Sequence, residues 1–214
     1  MAAPEAHEPP ADCRRCPRLA GFRDDNRRAH PGFHNDPVPA FGPLDARLLI
    51  VGLAPGLKGA NRTGRPFTGD YAGDLLYPSL IGAGFASGDY GARPDDGLRP
   101  AGCRITNAVR CVPPQNKPTP EETRTCRPFL EAEIEAMGEL RALLALGRIA
   151  HDAVLRTFGL KLAAHPFAHG AVHDLPGGLL LADSYHCSRY NVNTGRLTPA
   201  MFEAVLAELR ARLG

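Results

Sequence analysis

The chain of 214 residues is 43% hydrophobic and 22% charged, which is ordinary for a soluble globular protein and long enough for one hydrophobic core. No apolar run reaches the length of a membrane span and the N-terminus carries no signal-peptide pattern, so we expect a cytoplasmic protein that contacts no membrane. The formal net charge of +2 is too small to establish a polyanionic partner. Nearly all basic residues are arginines, which suit phosphate contacts but also follow from a GC-rich genome, so composition alone does not identify a nucleic-acid ligand.

Secondary-structure signals alternate between strands and helices after a polar N-terminal region. We expect residues 1–10 to form a flexible tail, 11–214 to form a single domain, and the proline-rich stretch 13–45 to form an irregular arm. Short apolar runs predict strands at 47–52, 103–108, 142–146 and 179–184. Helical patterns cover 74–83, 120–140 and 149–158, and a last helix begins at Pro199 with Thr198 as its N-cap.

This alternation predicts a three-layer α/β/α sandwich with a central, mainly parallel four-stranded sheet. Ligands of such sheets bind beyond the carboxyl ends of the strands. The four predicted strand ends open onto 54–70, 107–114, 147–148 and 185–196, so these loops should converge on one cleft.

Four of the six cysteines form two widely separated pairs, which suggests a shared metal site. Cys13 and Cys16 make a C-x-x-C hook, while Cys111 and Cys126 lie in arginine- and proline-rich text about a hundred residues downstream. Four thiolates suit a tetrahedral zinc ion or a cubane iron–sulfur cluster, and this spacing is unlike that of a zinc finger. We therefore predict that a metal centre staples the N-terminal arm onto an already folded domain.

The loop after the first strand is rich in glycine but has neither a Walker A nor a dinucleotide-binding pattern. Arg62 and Arg65 are candidates for phosphate contacts. Phe67 is either a stacking surface for a planar ring or a core plug. Asp70 and Asp74 are either functional carboxylates or caps of the following helix.

The segment after the fourth strand places several polar residues beside His186. The imidazole is positioned to donate a hydrogen bond to a substrate carbonyl or to stabilise developing negative charge. Arg189 and Arg196 are candidates for phosphate contacts. Tyr190 either wedges into a nucleic-acid strand or packs in the ordinary way.

Four motifs together resemble the iron–sulfur uracil-DNA glycosylases, closest to their family-five branch. They are Gly-Leu-Ala-Pro at 52–55, Asn-Arg-Thr-Gly-Arg-Pro-Phe-Thr-Gly-Asp at 61–70, Ile-Thr-Asn-Ala-Val-Arg-Cys at 105–111 and Asn-x-x-Thr-Gly-Arg-Leu-Thr at 191–198. The resemblance extends from Cys13 to the C-terminal helix. It implies a monomeric enzyme that acts on DNA containing uracil or other damaged bases.

The resemblance also implies a set of residue roles. A 4Fe–4S cluster would be held by Cys13, Cys16, Cys111 and Cys126. Phe67 would stack on the flipped base, Asn107 would read its polar edge and His186 would lie near its O2 atom. The other substrate-binding positions are Gly52, Ala54, Asn61, Arg62, Asp74, Arg189 and Arg196.

The usual water activator is absent, because Ala54 and Gly56 stand where other branches carry an acidic or amide side chain. We predict that Asp70 replaces it, with Asp74 as the alternative. Cys187 is a second departure, since much of the superfamily has proline after the histidine. Lys58 is the only lysine in the motif loops, so we expect a monofunctional glycosylase without a Schiff-base step.

Two other interpretations fit parts of the sequence. One is a non-catalytic, metal-stapled nucleic-acid-binding domain, which would account for the cysteines and arginines but not for polar loops at the strand ends. The other is a glycosylase of the same fold whose main substrate is hypoxanthine or an etheno base. The small residues in the first motif would leave room for such larger bases.

Overall fold

The computed structural model describes residues 7–214. Within this part of the chain the α-helices and β-strands, in order, are α1 (Pro17–Ala29), β1 (Leu48–Gly52), α2 (Ala60–Thr63), α3 (Tyr71–Gly82), β2 (Ala86–Ser87), β3 (Arg99–Pro100), β4 (Cys103–Asn107), α4 (Pro120–Ala136), β5 (Ala142–Leu146), α5 (Arg148–Thr157), β6 (Val172–Asp174), β7 (Leu180–Ser184), α6 (Arg189–Asn193) and α7 (Pro199–Leu213). β2 and β3 pair as a small antiparallel ribbon outside the main sheet.

The main sheet has the strand order β4-β1-β5-β7-β6 and is parallel except for β6 at one edge. The four predicted strands form its parallel part, so the predicted α/β class is confirmed, with one additional antiparallel strand. All five residues of β1, β4 and β5 are buried, as expected for strands covered by helices on both faces.

Alternate residues of β1 enter two separate cores, which makes the fold three-layered. Leu48 and Ile50 pack with α3 and α7 on one face of the sheet. Leu49 and Val51 pack with α4 and α5 on the other face. The last helix begins as predicted, since the Thr198 hydroxyl accepts a hydrogen bond from the Met201 amide at 3.2 Å.

The prediction of an irregular arm over 13–45 is wrong for α1. Pro17 provides a favourable first residue, and the helix buries Leu19, Ala20, Arg23 and Asn26. Because two of these four buried side chains are polar, the apolar periodicity that identifies a helix is absent.

The smaller elements were also absent from the prediction. β6 is only three residues long and contains a histidine and an aspartate, so it carries no strand signal. The helix predicted over 120–140 corresponds to α4 and ends earlier than expected, at Ala136, because the chain leaves helical geometry at Met137 ahead of Gly138. None of the described helices is both long and apolar enough to cross a membrane.

A buried charge network joins the N-terminal segment to the sheet. Glu133 on α4 is fully buried and pairs with Arg104 of β4 at 2.6 Å and with Arg110 just beyond it. Glu8 also pairs with both arginines at 3.1 Å and accepts a hydrogen bond from the Ala40 amide. Residues 1–6 of the predicted tail lie outside the described residues, but from Glu8 onward the segment is bonded to the domain, unlike the predicted tail.

Replacing Glu133 with alanine should destabilise the protein strongly. The change leaves two buried guanidinium groups without this carboxylate, and breaking a buried pair in this way costs about 3–5 kcal/mol. Urea denaturation monitored by circular dichroism measures the loss. Glu208→Ala is the matched control, because its ion pair with Arg212 is exposed and contributes below about 1 kcal/mol. Equal losses in the two variants would contradict the role of the buried network.

Candidate active site

A cavity of about 390 Å³ opens at the carboxyl edge of the sheet, where the predicted cleft should lie. Its walls come from the ends of β1, β4 and β7 and from the start of α3. The lining residues are Leu53, Ala54, Pro55, Gly56, Ala60, Phe67, Asp70, Tyr71, Ala72, Asn107, Asn116, His186, Ser188 and Arg189. Phe67, Asn107 and His186 therefore share one cavity, as the strand map predicts.

Phe67 has an unusual backbone that its neighbours hold in place. Its φ of 52° lies in the left-handed region, which is uncommon for an aromatic residue and is often found at functional sites. The Tyr90 hydroxyl donates to the Phe67 carbonyl at 3.3 Å, and Gly73 lets the helix approach that carbonyl, since a Cβ there would lie 2.0 Å from it. The ring is therefore presented at a fixed position on the cavity wall.

Gly52 allows the ring and an amide to meet at the end of β1. A Cβ at this position would lie 2.4 Å from Phe67 Cζ and 2.4 Å from Asn107 Oδ1. The parallel register places Gly52 directly opposite Asn107 on β4. A side chain at 52 would therefore displace both groups from the cavity, which accounts for glycine in the first motif.

His186 enters the cavity beside Phe67, with 6.0 Å between the two ring centroids. Asn191 Nδ2 donates to the His186 carbonyl at 2.8 Å, and Cys187 is fully buried in the core, so this segment is fixed without the proline that the resemblance leads one to expect. Burial lowers the pKa of His186, which keeps the imidazole neutral at physiological pH. Among the described residues, no hydrogen bond to its ring is found, so both ring nitrogens remain available to a ligand.

Asp70 caps α3 and also lines the cavity, so the cap considered from sequence is confirmed, while the functional role stays a prediction. One carboxylate oxygen accepts from the Ala72 amide at 3.1 Å, while the other lies against Gly59, where a Cβ would come within 2.3 Å. Burial raises the pKa of Asp70, and the backbone N–H groups of Ala72 and Gly73 offset part of that rise. Asp74 is exposed in the first turn of α3 and does not line the cavity.

The predicted phosphate-binding arginines occupy three different environments. Arg189 lines the cavity with its guanidinium 5.2 Å from the Tyr71 ring centroid. Arg196 lies 4.6 Å from the Tyr185 ring centroid, on an adjoining cavity of about 450 Å³ that shares Leu53 and His186 with the first. Arg62 is exposed outside both linings.

Two residues predicted for ligand contact are internal supports. Arg65 is 5% exposed and forms a forked pair with Asp96 at 2.7–2.8 Å, so it braces the loop and does not reach a phosphate. Asn61 is fully buried and donates to Asn35 Oδ1 at 2.9 Å, so its side chain lies outside the cavity lining. Sequence alone gives these side chains no distinguishing signal, because their partners lie about 30 residues away.

Asn116 lines the cavity, although the sequence analysis did not select it. It has a left-handed φ of 56° and follows Gln115 with a φ of 57°, in the loop between Cys111 and Cys126. Two consecutive left-handed residues indicate a constrained loop. The angle φ cannot be read from a sequence, so no sequence pattern pointed to Asn116. Tyr190 is 71% exposed, which excludes the ordinary packing role considered for it.

The four predicted ligand cysteines line one small cavity between α1, α4 and the segment after β4. Burial, together with the nearby thiols of Cys126 and Cys111, raises the pKa of Cys16 to about 12. The fully buried Arg23 donates to Cys111 Sγ at 3.3 Å, and its Nε has no partner. Cys103 and Cys187 are buried elsewhere, as expected for spare thiols.

These features match a known family of DNA-repair proteins. The model of the uracil DNA glycosylase superfamily matches residues 39–210, and the chain belongs to this superfamily. Within it, the similar proteins indicate the type-5 group. The Type-5 uracil-DNA glycosylase of Thermus thermophilus is 52% identical over 207 residues, which cover 94% of each chain.

Two further relatives support this grouping. The Type-5 uracil-DNA glycosylase of Mycobacterium leprae is 44% identical, with 99% of this chain and 96% of that protein covered. The Type-5 uracil-DNA glycosylase of Pyrobaculum aerophilum is 42% identical, with 95% and 90% covered. The similarity thus spans the N-terminal cysteine segment as well as the cavity.

The pKa of His186 should lie below the ordinary value of about 6.5, because burial disfavours its charged form. Histidine NMR of isotope-labelled protein measures it directly. Phe67→Ala should move the pKa back toward the ordinary value by admitting water beside the imidazole. Phe33→Ala is the control, since Phe33 stacks on His30 instead. A wild-type pKa at or above 6.5 would contradict the half-buried, neutral imidazole.

Proposed function

We propose that this protein excises uracil from DNA, with the flipped base held by Phe67 and Asn107 and the chemistry carried by His186 and Asp70. The main support is that a stacking ring, an amide, a neutral imidazole and a carboxylate line one cavity of about 390 Å³. Further support comes from the type-5 enzymes of the same superfamily at 42–52% identity. In this proposal the enzyme acts on DNA as a monomer.

Base recognition requires that the nucleotide leave the duplex. Flipping costs a few kcal/mol, and stacking on the Phe67 ring returns about 1–3 kcal/mol of that. The Asn107 side chain offers both a donor and an acceptor, which suits the polar edge of uracil. Arg189, on the cavity wall, and Arg196, on the adjoining cavity, are positioned to contact the phosphates that flank the flipped nucleotide.

Cleavage breaks the bond between the deoxyribose C1′ and the base N1, and the electron pair leaves with the base. The neutral imidazole of His186 donates a hydrogen bond to the O2 atom, where negative charge develops. Asp70 orients the attacking water and accepts its proton, while its negative charge favours the oxocarbenium-like sugar. The raised pKa of Asp70 brings it closer to the operating pH, as suits a general base.

The same residues bear on substrate range. Ala54 and Gly56 line the cavity with little or no side chain, which leaves space beside the base. This space supports activity on hypoxanthine and etheno bases in addition to uracil. Because no lysine of the described residues 7–214 lines the cavity, the proposed mechanism has no Schiff-base step and leaves an intact abasic site.

We also propose that Cys13, Cys16, Cys111 and Cys126, which line one small cavity, hold a 4Fe–4S cluster. Among the described residues, no three cysteine sulfurs lie within 4.8 Å of one another, whereas thiolates around one zinc ion would be about 3.8 Å apart. The buried guanidinium of Arg23 has no carboxylate partner in the described part of the chain, so thiolates would supply the compensating charge. When bound, such a cluster would act structurally, joining the arm to the segment beyond Asn107.

Incubation with damaged DNA tests the function. Duplexes carrying uracil, hypoxanthine or ethenocytosine are treated with the purified protein and then with alkali, which cleaves abasic sites. We expect strand breaks at uracil, and also at the other two bases, and we expect them only after the alkali treatment. The absence of alkali-dependent breaks with all three duplexes, combined with DNA binding, would instead support the non-catalytic alternative.

Asp70→Asn should reduce the single-turnover rate on uracil DNA by about 100-fold or more while DNA affinity changes little. Asparagine caps a helix as well as aspartate does, so α3 keeps its start and only the proton acceptor is lost. Asp74→Asn is the matched control one helical turn away and should retain the rate. If Asp74→Asn loses the rate and Asp70→Asn does not, Asp74 is the water-orienting residue.

Cys126→Ser should lose bound iron and the brown colour of the protein. Analysis of iron and inorganic sulfide should give about four of each per wild-type chain and far less in the variant. Cys187→Ser is the control, because Cys187 lies in the core that the sheet forms with α3 and α7 and does not line the cysteine cavity. Zinc without iron in the wild-type protein would contradict the cluster assignment.

A further inference from the structure

The backbone immediately before His186 is held by residues 169–171, which lie outside the cavity lining. Gly170 donates to the Asp183 carbonyl at 2.9 Å, and the Asp183 amide donates to the Ala171 carbonyl at 2.9 Å. The Tyr185 amide then donates to a side chain, His169 Nδ1, at 3.2 Å. The peptide groups next to His186 are therefore held at two points: an imidazole accepts from the Tyr185 amide, and the Tyr185 carbonyl accepts from Ser184 Oγ at 2.9 Å.

The bond from Tyr185 defines the protonation state of His169. A backbone amide can only donate, so Nδ1 must carry a lone pair and any ring proton must be on Nε2. The His169 ring also stacks on the Tyr185 ring, with centroids 5.1 Å apart and planes 20° from parallel. Burial lowers the pKa of His169, which favours the neutral state that the bond requires.

Two other histidines, His151 and His173, anchor residues 169–171 to β7 through Asp183. Asp183 is fully buried and bonds His151 Nδ1 at 2.7 Å and His173 Nε2 at 3.2 Å. His151 Nε2 lies 2.9 Å from the His165 carbonyl, which can only accept. His151 therefore donates from both nitrogens. Burial opposes its charge, but the hydrogen bond and the charge of Asp183, together with the bond to the His165 carbonyl, outweigh burial and raise the pKa of His151.

This second group could also be considered as a metal site, since its three ligand atoms lie within 4.8 Å of one another. The separation of 2.7 Å between His151 Nδ1 and Asp183 Oδ1 is a hydrogen-bond distance. Two ligand atoms on a tetrahedral zinc ion would be about 3.3 Å apart. The group is therefore a hydrogen-bonded anchor for the segment that carries His169.

We propose that His169 is a positioning residue for His186: its Nδ1 lone pair fixes the Tyr185 amide and so the direction in which the next side chain enters the cavity. The anchor at Asp183 keeps the His169 segment against β7. This inference rests on the catalytic role proposed for His186. It assigns a function to a histidine that does not line the base cavity.

Protonation of His169 removes the acceptor for the Tyr185 amide. Because its pKa is lowered, the bond is present at neutral pH and is lost as the pH falls through that lowered pKa. Arg196 lies against the Tyr185 ring, and Glu208 and Arg212 of α7 line the same groove as His169 while pairing with each other at 2.6 Å. Ser184 Oγ is 3.4 Å from Nδ1.

Two substitutions separate the lone pair from the ring. His169→Phe keeps an aromatic ring against Tyr185 but has no acceptor, whereas His169→Asn keeps an acceptor near the Nδ1 position but has no ring. Single-turnover excision of uracil from a duplex, DNA affinity, iron content and thermal unfolding are measured for both. His165→Phe is the control, because it keeps the carbonyl that accepts from His151 and changes a ring that does not contact Tyr185.

We expect His169→Phe to lose about tenfold in rate with unchanged affinity, iron content and melting temperature, since small misplacements of a catalytic group have effects of this size or larger. His169→Asn should retain most of the rate and should lose less of it at acid pH than the wild type. A wild-type rate for His169→Phe, or equal defects in the two variants, would overturn the positioning role.

His186→Asn, measured alongside, separates this inference from the proposed function. A defective His186→Asn with an unaffected His169→Phe overturns the positioning role alone. A fully active His186→Asn overturns the role of His186 itself, and the positioning role with it. Defects in both, with rescue by His169→Asn, support the inference.

Discussion

The buried carboxylate of Glu133 is the constraint on which the cavity side of the sheet depends. Its two arginine partners lie on either side of Asn107, one within β4 and one just after it. Separating a buried charge from its partner has a high free-energy cost. The path of the chain between Arg104 and Arg110 is therefore fixed. Cys111 follows directly, and the amide of Arg110 donates to Cys126 Sγ at 3.4 Å. The base-facing strand end and the cysteine cavity are thus parts of one rigid unit.

The proposed mechanism needs a charged carboxylate on Asp70 beside a neutral imidazole on His186, and burial alone favours only the neutral imidazole. It pushes a carboxyl toward a higher pKa and an imidazole toward a lower one, so Asp70 and His186 both move toward the neutral form. Hydrogen bonds then act selectively. Two backbone amides favour the charged form of Asp70, while the ring of His186 has no such partner among the described residues.

The parallel sheet could be predicted from sequence because a continuous apolar run such as 48–52 buries all its side chains only in a sheet that is covered on both faces. It placed Phe67, Asn107 and His186 together because the carboxyl ends of parallel strands share an edge. It could not distinguish Arg65 from Arg62, since the difference lies in a distant partner, Asp96. It also missed α1, because the buried face of this helix carries polar side chains. One of them, Arg23, donates hydrogen bonds to a cysteine sulfur and to a backbone carbonyl.

The separation of the two cysteine pairs along the chain has a consequence for synthesis in the cell. Cys16 is translated about 110 residues before Cys126, and the segment after β4 and the start of α4, which line the same cavity, are made in between. At about 5–20 residues per second, the N-terminal thiols wait on the order of 5–20 s before their partners exist. During that interval α1 has no surface on which to bury Arg23. Helix α1 is therefore made early but reaches its final packing only after α4 has been made.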